Sequence, residues 1–345
     1  AQTDSVLNFS KTKPFSRKQF IGRLALLDSS TFTKTDQYNY TIAQIINSEW
    51  ATQQFTSKKT FLKSFYKSPA NFYEVHNKDF FLALNPVLQF YLGKENNNSE
   101  RIFLNTRGVT LRGSIANKLG FAAYVADNQE RDPLYVQQMV TARKAVPGAG
   151  FYKSFKTTGY DYFDARGYIT LNALKAIDIQ FGYDKNFIGN GYRSLFLSDY
   201  AAPYLFLKLN TRIWKINYQT IFMELISQHQ TGDYQYPRKY AVVHHLSVNA
   251  TKWLNLGLYD NVVFSRADYF DFSYLNPVIF LVAAQQQNGS PDKTTVGLDF
   301  KANAGHAVQI YGQLLINEFV LHEVLHYSHG WWGNKQGLQL GIKYI

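Results

Sequence analysis

From about Phe80 onward the apolar residues recur at every second position, and this period constrains the chain more than any other feature. Successive side chains on a strand point to opposite faces, so a period of two gives a strand with one apolar face. Ile177, Ile179 and Phe181 alternate with Asp178, Gln180 and Gly182. After a loop rich in Gly, Asn, Tyr and charge, Leu205, Leu207 and Leu209 alternate with Phe206, Lys208 and Asn210. A tight turn expected at Thr211-Arg212 then leads into Ile216, Tyr218 and Thr220. The same pattern marks Val109 to Ile115, Leu119 to Val125, Ile169 to Ala173, Val242 to Val248, Leu254 to Leu258, Val296 to Phe300, Val308 to Ile316 and Leu338 to Tyr344. The period predicts about twelve such strands.

The turns between them alternate in length. Short ones are expected near Asn117, Lys175, Thr211, Thr251 and Ala304, and long ones over roughly 128–167, 184–203, 227–240, 266–294 and 318–336. Outer-membrane barrels show this asymmetry, with short periplasmic turns and long extracellular loops. The second face of the strands carries Arg112, Asp178, Gln180, Lys208, Asn210, Asn261, Asp299, Lys301 and Lys343. One face therefore suits lipid and the other a wet lumen, although the pattern alone does not say which is inside. The fold class expected is all-β: a transmembrane antiparallel outer-membrane β-barrel preceded by a small helical N-terminal domain. A soluble β-sandwich or barrel is the competing class.

No run approaches the 18 or more consecutive apolar residues of a membrane helix, which leaves a β-barrel open. A chain of 345 residues is long enough for a large core without staples, and the absence of cysteine excludes zinc-thiolate sites, thiol nucleophiles and disulfides. The net charge of +11 points to anionic partners. Because the basic residues are scattered singly, lipopolysaccharide and acidic glycan are favoured over nucleic acid. Residues 1–5, AQTDS, carry no basic or apolar signal and read as a mature end left by cleavage.

Residues from about 15 to 70 differ from the rest. Ser16 is expected to cap a helix carrying Phe20, Ile21, Leu24 and Leu27, and Thr35 or Asp36 another carrying Tyr38, Ile42, Ile45, Ile46 and Trp50. Ser57 to Tyr66 is expected to form a third, ended before Pro69. The organisation expected is thus a helical periplasmic region over 1–75 and a barrel over 76–345. An open strand edge is not tolerated in lipid, so further strands are expected to complete the barrel beyond Ile345.

The segments YDKNFIGNGYRSLFLSDYAAPY (183–204), RKYAVVHHLSVNATKWLNLGLYDNVVFSR (238–266), SYLNPVIFLVAAQQQNGSPDKTTVGLDFK (273–301), YGQLLINEF (311–319) and GWWGNKQGLQLG (330–341) resemble the RemB-like gliding-motility proteins of bacteria with type IX secretion. Those are similar in turn to the capsule-assembly Wzi family. The resemblance spans about 181–345, with a looser match before it. It implies an 18-stranded outer-membrane barrel that binds or organises cell-surface polysaccharide in capsule assembly, gliding or adhesion. Its loops depart from those of the capsule proteins, so the glycan is left open. The alternative is a structural subunit of a gliding-motility or type IX secretion complex that contacts protein through its loops or helical region. Porin activity has no residue that directs it.

Gly189-Asn190-Gly191 lacks the Lys and helix of a phosphate loop and reads as backbone freedom in a folded loop. Around it stand Asp184, Lys185, Asn186, Asn190, Tyr192, Arg193 and Asp199. Hydrogen-bonding groups beside rings suit sugars, whose hydroxyls bond and whose C–H faces stack. An internal plug held by ion pairs is the equal alternative. Tyr234, Tyr236 and Arg238, with Trp331, Trp332 and Asn334, are further glycan candidates, the alternative being interfacial anchors. His322, Glu323, His326 and His329 form an HExxH pattern that on a helix would bind zinc. It follows a strand in a loop and lacks a later acidic ligand, so neither catalysis nor a cofactor is expected. His244 and His245 fall on opposite faces of one strand and form no joint site.

Overall fold

The computed structural model describes residues 6–58, 60–62, 64–96, 98–227, 229, 235–266, 271–276, 280–287, 289, 292–305, 307–318, 330–331, 333 and 335–344. Its strands are β1 (Thr12–Lys13), β2 (Tyr73–His76), β3 (Phe80–Lys94), β4 (Arg101–Ile115), β5 (Leu119–Arg131), β6 (Lys153–Phe155), β7 (Gly159–Leu174), β8 (Ile177–Asp184), β9 (Phe187–Ile188), β10 (Tyr204–Ile213), β11 (Ile216–Ile226), β12 (Arg238–Asn249), β13 (Leu254–Phe264), β14 (Lys293–Ala304), β15 (Val308–Asn317) and β16 (Lys335–Tyr344). Four short helices accompany them: α1 (Arg17–Leu24), α2 (Lys34–Ile46), α3 (Leu134–Arg143) and α4 (Leu281–Gln287). The protein is therefore mostly antiparallel β-sheet, and among the described residues no helix is long and apolar enough to cross a membrane. Among the described residues β2 and β16 each pair on one side only, so the sheet is open and not closed into a barrel.

The chain divides into two compact units. The first holds Ala1–Pro14, Asn172–Gln228 and Asp233–Ile345, the second Phe15–Leu171 and His229–Gly232. In the first, β8, β10, β11, β12, β13, β14, β15 and β16 follow one another in antiparallel order, while β1 pairs with β9 in a separate two-stranded sheet. In the second the order is β2, β3, β4, β5, β7, with β6 against β7.

The short turns form where backbone chemistry permits. Ala116 and Asn117 both take positive φ (50° and 56°) in the three-residue connection between β4 and β5, closed by the Lys118 amide on the Ile115 carbonyl at 3.1 Å. The turn expected at Thr211-Arg212 instead falls at Trp214-Lys215, with Trp214 at φ 52°. Thr211 and Arg212 pair with Tyr218 and Asn217, so the ladder runs on and the turn follows it. The long loop expected over 128–167 shortens at both ends, because β5 continues to Arg131 and β7 starts at Gly159.

In the second unit Ser16 caps α1 as expected, its Oγ accepting from the Gln19 amide at 3.3 Å. The cap of α2 is Thr33 rather than Thr35 or Asp36. Thr33 Oγ1 accepts from the Asp36 amide at 3.2 Å, and the Asp36 carboxylate accepts from the Thr33 amide at 3.1 Å. This reciprocal box satisfies two donors that a cap at Thr35 would leave bare. The third helix expected over 57–66 is not formed among the described residues. Leu62 and Tyr66 take positive φ, Phe61 bridges to Phe65, and the Phe65 ring stacks on Phe72 at 4.5 Å. Two left-handed residues break the helical ladder.

Each unit sorts its strand faces the same way. In the first, Phe181, Leu207, Leu256, Leu298, Leu338, Leu340 and Ile342 stand exposed, whereas Gln180, Lys208, Asn217, Gln219, His245, Asn255, Asp299, Lys301 and Gln313 are buried. In the second, Leu88, Phe90, Leu92, Phe163 and Ile169 are exposed, whereas Thr106 and Asn128 are buried and hydrogen-bond each other at 2.7 Å. The usual order of a water-soluble fold is inverted.

Candidate ligand-binding site

The polar face of the first unit is covered by two segments of that unit, residues 6–13 and 185–199. The N-terminal strip runs as a 3-10 turn over Leu7–Lys11 and then pairs through Thr12 and Lys13 with Ile188 and Phe187. Its foot is fixed by Asn8, which donates to the Lys252 carbonyl at 3.0 Å and accepts from Asn303 at 3.1 Å. Lys301 donates to the Leu7 carbonyl at 3.2 Å. At its centre Lys11 forms an ion pair with Asp299, whose second oxygen meets His245 Nε2 at 2.8 Å. All three side chains are at most 1% exposed. Burial pushes the Lys11 ammonium below its ordinary pKa, and the Asp299 charge pulls it back.

Gly257 makes room for this pair. A Cβ there would stand 2.1 Å from Asp299 Oδ2 and 2.7 Å from Lys11 Nζ. Gly297 plays the same part beneath the loop: a Cβ would come within 2.4 Å of the Phe196 ring, which stacks on Tyr259 with centroids 4.4 Å apart.

The 185–203 loop divides into a seated base and an exposed tip. Asn186 and Asn190 are buried, and Asn186 accepts from Lys208 Nζ at 2.8 Å while its amide donates to the Tyr204 hydroxyl at 3.2 Å. Gln313 binds the loop three times, donating to the Ile188 carbonyl at 3.2 Å and accepting from the Leu195 amide at 2.9 Å and the Ser194 hydroxyl at 3.1 Å. Asp184 and Lys185 lie at the loop entrance, half-buried, with the Lys185 amide on the Asp184 carboxylate at 2.8 Å. The hydrogen bonds of Asp184, Asn186, Lys208 and Gln313 hold the base of the loop against the sheet face.

The tip is different. Tyr192 is 85% exposed, and the Arg193 guanidinium lies 4.7 Å from its ring centroid and 4.9 Å from that of Tyr200. Asp199 pairs with Arg193 at 3.7 Å with about half of each side chain open to solvent. Two rings, a planar cation and a carboxylate thus share one exposed surface, which offers faces for stacking beside donors and acceptors.

The other candidates do not join this cluster in any described contact. Arg238 opens β12 and pairs with Glu224 of β11 at 3.5 Å, and Tyr236 and Trp331 are half-buried. Tyr234, Trp332, Asn334 and the HExxH residues His322, Glu323, His326 and His329 lie outside the described residues. His244 and His245 do point to opposite faces, as expected. Sequence reasoning missed Tyr200, Lys11 and the Lys11–Asp299–His245 triad. Tyr200 stands in the flagged loop and was legible as an aromatic beside Asp199. Nothing in the sequence links Lys11 to a residue 288 positions away. Comparison with known proteins adds no name to this site: no family model matches the chain, and no curated protein is detectably similar to it.

Proposed function

We propose that this protein is a plugged outer-membrane β-barrel that binds cell-surface polysaccharide, as expected of a RemB-like or Wzi-like protein serving capsule organisation, gliding or adhesion. The observation that carries the reading is the inverted sorting of the faces: leucines and aromatics exposed, charges and amides buried. In water such a surface would drive association, while in lipid it is the favourable arrangement. Antiparallel strands with alternately short and long connections are the way a sheet crosses a bilayer. On this reading the 6–13 and 185–199 segments fill the lumen, the short turns face the periplasm, and the long loops face outward.

The tip formed by Tyr192, Arg193, Asp199 and Tyr200 is then the external binding surface. Its rings take the C–H faces of a sugar, and Arg193 meets acidic substituents, in keeping with the net charge of +11. No residue in the reading acts chemically on its ligand, and no cofactor enters it. Partners are outer-membrane lipid, lipopolysaccharide and surface glycan rather than nucleic acid.

A second reading is a structural subunit of a motility or type IX secretion assembly. It draws on the exposed Leu26 and Tyr38 of the helical region, which offer a protein-contacting surface. One experiment separates the two. The intact protein is taken from outer membranes in mild detergent, what accompanies it is identified by mass spectrometry, and its affinity for that material is compared with that of Tyr192→Ala. Co-purifying polysaccharide, bound roughly tenfold more weakly by the variant, is expected if one stacking contact is lost. Stoichiometric protein partners, with glycan affinity absent or unchanged in the variant, would support the second reading.

A further inference from the structure

A short segment of chain covers part of the exposed apolar face of the first unit. Over β12 and β13, residues 271–276 and 280–287 lie on that face as a cover. Tyr274, Leu281 and Ala284 pack against Val242, Val262 and Phe264, with Phe222 and Tyr240 at the margin. Val242 and Val262 are wholly buried by it. Leu205 is at least as far from its short turn at Trp214 as Val242 is from Ala250, yet Leu205 is exposed. The cover therefore occupies surface that the neighbouring strands leave open.

Polar contacts fasten it, among them Thr294 Oγ1 donating to Gln285 of α4 at 3.2 Å. Asp260 sits on the apolar face opposite His244 in register, and its carboxylate accepts from the Leu281 amide at 2.6 Å, at the start of α4. The Tyr274 hydroxyl donates to Asp292 at 2.7 Å. The Arg266 guanidinium spans Asp271 at 3.0 Å and Asp292 at 2.6 Å. From this fastened cover two rings project, Phe272 at 75% exposed and Phe280 at 49%.

We propose that the cover lies in the boundary layer between the headgroups and the hydrocarbon of the outer leaflet, with membrane lipid contacting it through Phe272 and Phe280. The inference rests on the membrane-barrel reading above and adds a lipid-contacting element to it. A carboxylate facing hydrocarbon is strongly disfavoured. Asp260 and His244 face that side, and both are almost wholly buried. The cover binds the Asp260 carboxylate through the Leu281 amide and presents an outer surface ending in aromatic rings, the residues suited to the interfacial layer. Lipid is the favoured occupant because Leu256 of β13 and Leu298 of the neighbouring β14 are exposed and apolar and continue the face directly.

The chain has no cysteine, so single spin labels report without background. Labels at Phe272→Cys, Leu207→Cys and Tyr192→Cys are compared in the full chain reconstituted into phosphatidylethanolamine–phosphatidylglycerol bilayers. Collision rates with oxygen, which partitions into lipid, and with a water-soluble nickel chelate give the depth of each. Leu207 is expected to favour oxygen, Tyr192 nickel, and Phe272 to fall between them with nickel access several-fold below that of Tyr192. A Phe280→Cys label gives the same reading from the other end of the cover if the first label loosens it. Phe272 and Phe280 labels as open to nickel as Tyr192, with Leu207 still in hydrocarbon, would overturn the cover's placement alone. A Leu207 label as open as Tyr192 would overturn both it and the membrane reading.

Discussion

Lys11 in the first unit and Arg112 in the second are both cations at the meeting of a polar sheet face and the chain that covers it, but they stand in opposite surroundings. Lys11 is fully enclosed with Asp299 and His245. Arg112 reaches Glu49 at 3.1 Å and the Ile46 carbonyl at 2.9 Å while a fifth of its side chain stays exposed. The first cover is a narrow strip seated deep in the sheet face, so each charge must find its complement within the protein. The second is the stretch that follows α2, where Ser48, Asn71, Glu74 and Asn85 share hydrogen bonds and part of the Arg112 side chain stays open to solvent. A polar face is thus covered either closely, with the central ion pair sealed inside the protein, or more openly, with part of the ion pair left to solvent.

The largest expected effect tests the close cover. Asp299→Ala leaves Lys11 and His245 without their shared acceptor and should cost about 3–5 kcal/mol, read from the urea midpoint in detergent micelles. The paired change Lys11→Met with Asp299→Leu should recover most of it, since no charge is then stranded. A small loss in Asp299→Ala would erase the contrast. Next, Gly257→Val places carbon where the Asp299 carboxylate and Lys11 now stand, and should cost about 1–3 kcal/mol by overpacking.

In the more open cover Arg112→Ala should cost only about 1–2 kcal/mol, because water can replace part of what is lost. Limited proteolysis within 17–50 should accelerate before the sheet unfolds; a loss as large as that of Asp299→Ala would show that both covers are close. The smallest effect belongs to the cap of α2. Hydrogen bonds from the Thr33 hydroxyl and amide hold the Asp36 pKa below its ordinary value of 3.8. The folded value is depressed, so the stabilisation is complete above 3.8 and fades as pH falls below it. Amide exchange at Asp36 and Gln37 should quicken over that acid range while the sheet amides stay protected.

The strands were legible because alternation is a local property. The eight or more residues of each long strand carry their own face assignment, and the twelve expected match the twelve strands of that length among the described residues. The short turns were nearly as legible, although the hairpin at Trp214-Lys215 shows that pairing, not residue type, sets the last position. The helix expected over 57–66 failed because ring stacking across Phe65 and Phe72 outweighed a weak helical spacing. In the 184–203 loop the sequence offered sugar-binding and plug roles for the same residues. The fold divides them by depth, the base around Asn186 and Asn190 seated and the tip around Tyr192 and Arg193 open.

By itself the sequence determined a mostly antiparallel sheet, its two-faced strands and the rhythm of its connections, since each depends on residues a few positions apart. Tertiary structure alone decided which face is buried, what covers it, and that Lys11, His245 and Asp299 meet. Those contacts join distant parts of the chain, and the free energy that selects them comes from desolvation and charge matching that exist only once the sheet face is covered.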